Sequence, residues 1–241
     1  MLRHLVLFAR EPNRAAREKG FLGRDAANLF AKIAEGWRAT ARQVGARFIV
    51  AAPVEDLPAW HRTFGQSADS LWIIQSGDSL GERLERTARC AALLGGHAIL
   101  VGGDVPPSAS LMALAFRALE GGNDAVLAPA PDGGVSLIGL APGDLDLLRP
   151  IVPRRDDVFA TLHARLRARH RRVEIAPVTP DFDGRRGLRS LLPALAKSEA
   201  LLVLARRALE RHGFDTAPDR IWRPCLAVHG PIALRGPPAA A

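Results

Sequence analysis

The chain has no tyrosine, two cysteines, two methionines and three lysines among its 241 residues, and each scarcity narrows what it can be. Cys90 and Cys225 stand far apart, and neither belongs to a Cys-x-x-Cys pair, which argues against a disulfide framework or a structural zinc site and fits a reducing compartment. No stretch comes near the roughly 18 uncharged apolar residues of a membrane helix. The opening apolar run, Leu5 to Ala9, ends at Arg10-Glu11 and is too short for the core of a signal peptide. A soluble, cytoplasmic protein that does not engage a membrane is the expectation. All but three of the 33 basic residues are arginine, in an alanine-rich chain without tyrosine, a skew that codon bias in a GC-rich genome produces. The net charge of +8 is therefore discounted as a sign of nucleic acid; it suits an anionic small molecule equally well.

What is present is enough for a sizeable core: 48% of residues are hydrophobic and 24% charged, close to ordinary globular usage. Strand-length apolar runs occur at Leu5–Ala9, Phe48–Ala52, Leu71–Gln75, Ala98–Gly102, Ala125–Pro129, Val135–Leu140 and Val173–Pro177. Longer stretches of helical period lie over Arg24–Gln43, Leu80–Leu94, Ser108–Glu120 and Asp157–His170. Such alternation predicts an α/β domain of three α/β/α layers around a mostly parallel sheet. On Asp157–His170 one face carries Val158, Leu162 and Leu166, and another carries Arg165, Arg169 and Arg172, read as a solvated stripe beside the surface histidines His163 and His170. Residues 1–195 form the expected α/β domain. Residues 196–241 form a helical appendage, purely helical to about Arg211 and then broken by Pro218, Pro224 and Pro231.

In an open α/β sheet the ligand sits beyond the carboxyl ends of the strands, so the residues just after each strand are candidates. After the first strand, Arg10, Arg14, Arg17 and Lys19 crowd the stretch from Ala9 to Gly23, read as a loop whose cations could grip a triphosphate. After the fourth, Gly102-Gly103-Asp104-Val105-Pro106 places a carboxylate where a hard ion such as magnesium needs one, the remaining ligands being water and phosphate oxygens. Pro131-Asp132-Gly133-Gly134 either lets backbone approach a ligand or simply turns a hairpin. Asp181-Phe182-Asp183 follows the last strand, and in an extended segment both carboxylates face one side, so they could join Asp104 in one metal cluster. Gln75-Ser76-Gly77-Asp78-Ser79-Leu80-Gly81-Glu82-Arg83 leads into a helix, with Asp78 or Ser79 as N-cap and Glu82 as the capping-box partner of Ser79.

Together these motifs resemble the bacterial selenodomain-associated transferase 1 family, which has a nucleotide-diphospho-sugar transferase (glycosyltransferase-A) fold. Its relatives include 2-phospho-L-lactate guanylyltransferase and the molybdenum-cofactor and cytidylyl nucleotidyltransferases. The resemblance runs over roughly residues 4–192. Leu5-Val6-Leu7-Phe8-Ala9-Arg10 is similar to the family's opening strand, and Gly77 to Leu84 to its Gly-Asp-Leu-Gly-Glu-Arg segment. Gly103-Asp104-Val105-Pro106 is similar to its Thr-Asp-Cys-Pro metal motif, and Pro131 to Gly134 with Leu137-Ile138-Gly139 to its Asp-Gly-Gly segment. The family's Lys-Thr-Arg-Leu is here Lys19-Gly20-Phe21-Leu22, its aromatic pair after Asp-Gly-Gly is Val135-Ser136, and a Trp-Ser-Thr segment is missing near Pro153-Arg154-Arg155-Asp156. Its Asp-x-Asp-Thr-Pro-Glu-Asp-Leu survives only as Asp181-Phe182-Asp183.

The resemblance implies a transferase that uses magnesium or manganese, held by Asp104, Asp181 and Asp183, with Asp104, Asp183 and Lys19 as the catalytic set. Arg10, Arg14, Gln75, Gly77, Leu80, Gly81, Arg83, Asp132, Gly133 and Gly134 would bind substrate. The donor would be a nucleoside triphosphate, and the acceptor an anionic small molecule already ionised at pH 7, so that no general base is needed. The alternatives are sugar transfer from a nucleotide-sugar, or a catalytically silent member acting as a scaffold. In the latter case Ala196–Arg211 would dock a protein partner or a second copy.

Overall fold

The computed structural model describes residues 1–65, 70–152, 157–182 and 184–213. Seven strands form one sheet in the order β3-β2-β1-β4-β6-β5-β7: β1 (Arg3–Phe8), β2 (Arg47–Ala52), β3 (Ser70–Ile74), β4 (His97–Gly102), β5 (Ala125–Pro129), β6 (Val135–Leu140) and β7 (Val173–Ile175). β6 runs antiparallel to both its neighbours, β4 and β5, and the other pairings are parallel. Each of the seven expected strands is present, displaced by at most two residues at either end.

Eight helices complete the described fold: α1 (Pro12–Glu18), α2 (Arg24–Gln43), α3 (Leu57–Phe64), α4 (Leu80–Ala92), α5 (Ala109–Glu120), α6 (Val158–Ala168), α7 (Gly184–Leu195) and α8 (Glu199–Glu210). The sheet alternates its side chains between two cores, as a period of two requires. Leu5, Leu7, Ile99 and Val101 point to a core shared with α2, α5, α7 and α8, whereas Val6 and Leu100 point to a second one under α4 and α6. Leu201, Ala205, Ala208 and Leu209 of α8 are buried in the first of these cores, so this helix packs on the sheet-covering layer. Among the described residues no helix is long and apolar enough to cross a membrane.

Three expectations change. The stretch from Ala9 to Gly23 is not a bare loop: Glu11 caps α1 by accepting the backbone N–H groups of Asn13 and Arg14, and Pro12 occupies its first turn, where a missing N–H costs nothing. The arginine stripe on α6 is not simply solvated, because Arg169 reaches Asp146 at 2.6 Å and the fully buried Asp144 at 3.2 Å. Glu82 accepts from the backbone N–H of Asp78 rather than of Ser79, while Ser79 itself caps α4 by accepting from the Glu82 N–H. Asp183, the segment 153–156 and the proline-rich end beyond 213 lie outside the described residues.

The sheet also sets the place for a ligand. From β1 the chain crosses to β2 on one side, while β4 pairs with the other side, and Phe8 and Gly102 end these two strands in register. The crevice between their carboxyl ends is therefore the topological switch point.

Candidate active site

A cleft of about 400 Å³ opens at this switch point. Its charged and polar lining comprises Arg10, Glu18, Lys19, Gln75, Arg83, Asp104, Ser136 and Asp181, and Phe8, Phe30, Trp60, Leu80, Leu84 and Ile138 are among its apolar walls. Arg10 and Lys19 come from the β1–α1 region, Gln75 from the end of β3, Arg83 from α4, Asp104 from the β4–α5 loop and Asp181 from the segment after β7. Residues 171 positions apart in sequence thus share one crevice because parallel strands deliver their following loops to the same edge.

The Asp104 loop is held from several sides. Gly103 donates its N–H to the Phe8 carbonyl at 3.2 Å, and a side chain there would strike the Ala9 methyl at 2.6 Å, so the two strand ends close together only through glycine. The buried Trp37 of α2 donates its indole N–H to the Val105 carbonyl at 2.8 Å. Gly36 allows Pro107 to lie against the same helix, where an added Cβ would come within 2.6 Å of the proline ring. Lys19 Nζ lies 2.7 Å from Asp104 Oδ2. Gln75, 8% exposed, donates its amide to the Ala51 carbonyl at 2.7 Å and thereby ties the end of β3 to β2.

The charges in the cleft act on one another. Burial pushes the Asp181 carboxyl up to about 6, the Asp104 and Asp132 charges add to the rise, and Lys19 opposes it. Desolvation, and then the nearby Arg10, holds the Arg83 guanidinium below its usual value, and its buried Nε has no hydrogen-bond partner. An arginine in that state gains from any acceptor a ligand offers.

Other expected site residues do not line the cleft, although the Asp132 charge acts on Asp181 from beside it. Arg14 turns to acidic neighbours, Glu55 at 2.7 Å, Glu18 at 3.1 Å and the buried Asp56 at 3.3 Å, and does not line the cleft. Gly81 is buried against the Arg149 carbonyl, 2.1 Å from where a Cβ would stand, so it serves helix packing. Gly77, at φ +130°, has room for no side chain beside Glu82. Asp132, Gly133 and Gly134 form the β5–β6 turn, in which the Asp132 carboxylate accepts the Gly134 N–H at 2.9 Å. The sequence missed Phe30, Trp60 and Ser136 as cleft residues. For Trp60 the signal was the i+4 pair with Phe64 on α3, a short helix for which the sequence patterns set no bounds.

The sequence model of DUF2064, a family described as an uncharacterized protein conserved in bacteria, matches residues 34–161, just over half of the chain. The chain belongs to this family. No curated protein matches the DUF2064 chain in sequence. Among solved structures it is similar to a candidate nucleotide-diphospho-sugar transferase from Desulfovibrio desulfuricans G20, with 23% identity, a TM-score of 0.73, and coverage of 88% of this chain and 98% of that one. A cytidylyltransferase from Leptospira borgpetersenii serovar Hardjo-bovis shares the fold at 9% identity and a TM-score of 0.58, covering 92% of this chain and all of the other. A Mycobacterium tuberculosis H37Rv protein, solved in complex with manganese, does so at 13% identity and a TM-score of 0.52, covering 80% of this chain and all of the other. The DUF2064 protein therefore has the nucleotide-diphospho-sugar transferase and nucleotidyltransferase fold.

Proposed function

We propose that this DUF2064 protein is a magnesium- or manganese-dependent nucleotidyltransferase-like enzyme of the cytoplasm. It takes a nucleoside triphosphate into the switch-point cleft and passes the nucleoside monophosphate to a small molecule bearing a phosphate or carboxylate. The observation that carries this reading is the meeting of Asp104 and Asp181 with Arg10, Lys19 and Arg83 in one cleft. Carboxylates alone would repel a triphosphate, and cations alone would accept any anion. The two together suit an anion that arrives with a metal ion. The order of Gly77-Asp78, Gly103-Asp104 and Asp132-Gly133-Gly134 further supports a place near the selenodomain-associated transferase 1 family.

The residues fit a hard divalent ion. Among the described residues no cluster of three or more His, Cys, Asp or Glu side chains is arranged around a metal position, but two carboxylates suffice when water and phosphate complete the shell. Asp104 already draws a cation, the Lys19 ammonium, and Asp181, whose pKa is raised first by burial and then by the Asp104 and Asp132 charges, would be eased by a divalent ion beside it. Asp104 and Asp181 would hold the ion, with Asp183 as the further ligand suggested by the sequence. When bound, the ion neutralises phosphate oxygens and stabilises the charge that develops on the departing pyrophosphate.

The chain's own residues do the rest. Arg10, Arg83 and Lys19 bind phosphate oxygens by charge-assisted hydrogen bonds. Leu80 and the apolar walls formed by Phe8, Leu84 and Ile138 border the nucleoside and limit water. The acceptor oxygen forms a bond to the α-phosphorus while the bond from that phosphorus to the bridging oxygen breaks, and the electron pair leaves with pyrophosphate. An acceptor phosphate or carboxylate is ionised at neutral pH, so no proton has to be removed, and no histidine lines the cleft among the described residues.

Phosphorus NMR tests this directly. Each of the four nucleoside triphosphates is incubated with magnesium, the protein and a panel of phosphorylated and carboxylic acids. Pyrophosphate released together with a new phosphoanhydride signal for a phosphate acceptor, or an acyl-phosphate signal for a carboxylate, is expected for one nucleotide and one acceptor class. The likeness to the Desulfovibrio structure favours sugar transfer as a second reading. In that case nucleotide-sugars would yield nucleoside diphosphate, and the triphosphates would remain intact.

A further inference from the structure

We propose that Lys19 competes with divalent metal for Asp104, and that a bound nucleotide relieves the competition by offering the ammonium its phosphates. This rests on the metal and nucleotide reading given above. The ammonium already holds the carboxylate that a hard ion would use: Nζ lies 2.7 Å from Asp104 Oδ2, a charge-assisted hydrogen bond. A cation arriving at Asp104 meets the Lys19 ammonium already there, and two positive charges at one carboxylate repel each other strongly.

Lys19 is built to exchange partners. Its backbone is fixed at the end of α1, where its N–H donates to the Ala15 carbonyl at 3.1 Å and the following Gly20 and Phe21 N–H groups donate to Arg17 and Ala16. Its four-carbon stem is flexible, so the ammonium can change partners without moving that anchor, unlike a planar guanidinium locked in a fork. The cleft that Lys19 lines also holds Arg10 and Arg83, which mark where phosphates would lie. Moving the ammonium from Asp104 to a phosphate opens the carboxylate to metal and adds a cation to the nucleotide. Metal and triphosphate thus strengthen each other's binding, and by linkage the coupling is the same in both directions.

The test measures Mn²⁺ alone, titrated into the full chain, with free ion followed by electron paramagnetic resonance. Lys19→Met and Lys19→Gln should bind Mn²⁺ about fivefold or more tightly than wild type, whereas Lys19→Arg, which keeps the charge, should stay near wild type. A nucleoside triphosphate should then tighten Mn²⁺ binding more in wild type than in Lys19→Met. Unchanged, weaker or absent Mn²⁺ binding in both neutral variants overturns the proposal. A gain in the neutral variants with no response to any of the four triphosphates leaves the competition standing and overturns the nucleotide reading instead.

Discussion

Asp181 keeps its proton to about pH 6 in the folded protein, whereas an exposed aspartate releases it near 3.8. Burial is the main cause, and the Asp104 and Asp132 charges add to it. The sign follows from proton counting. Between about pH 4 and pH 6 the folded state binds more protons than the unfolded state, so stability falls as pH rises through that window. Above it, the ionised Asp181 is worse off folded than unfolded. Asp181→Asn should therefore stabilise the metal-free protein by about 1 kcal/mol at pH 7–8, a figure already reduced for solvent screening at this partly exposed group. Urea unfolding across pH should show the gain vanishing below about pH 4, and a gain that persists at pH 3 would rule out this electrostatic origin. Arg10 and Arg14 look alike on the page, yet only Arg10 lines the cleft: Glu55 lies within ion-pair range of both, at 3.9 and 2.7 Å, but only Arg14 also reaches the buried Asp56, at 3.3 Å.

Among the elements, α4 shows how one glycine can serve packing inside a motif that reads as ligand-binding. Its N-terminal turn is capped by Ser79 and carries Leu80 and Arg83 to the cleft, while Gly81 presses against the chain at Leu148 and Arg149. In an isolated helix Gly81→Ala would help by about 1 kcal/mol. Here the added methyl would sit 2.1 Å from the Arg149 carbonyl oxygen and 2.6 Å from that of Leu148, both backbone atoms that cannot turn aside. The substitution should destabilise the protein by about 2–3 kcal/mol in chemical denaturation, and a neutral or stabilising result would contradict the packing account. Strands were legible because buried parallel strands read as unbroken apolar runs, and α2 because Phe30, Ile33, Ala34, Trp37 and Ala41 repeat at helical spacing. α1 was hidden because its cap is a glutamate and because Arg14, Arg17, Glu18 and Lys19 make four of the eight residues from Pro12 to Lys19 charged, with no apolar stripe of helical spacing. In α3, Leu57 and Pro58 open a helix of only eight residues, too short for periodicity to register.

At the scale of the whole molecule, the site follows from topology more than from any one motif. With β1 between β2 and β4, the loops after β1, β3, β4 and the last strand converge on one crevice, which is why Lys19, Gln75, Asp104 and Asp181 meet there. The sequence located Asp104 and Asp181 because each follows a strand. It gave no signal for the Lys19–Asp104 contact or for the hydrogen bond from Trp37 to Val105, since both join segments that only the fold brings together. The proposed function requires this cleft to bind a nucleotide together with a divalent ion through Asp104. The most direct test is calorimetric titration of the four nucleoside triphosphates, with and without magnesium, into wild type and Asp104→Asn. Magnesium-dependent binding of one nucleotide, weakened at least about tenfold in Asp104→Asn, is the predicted result. Binding of no triphosphate, or binding indifferent to both magnesium and Asp104, would contradict it.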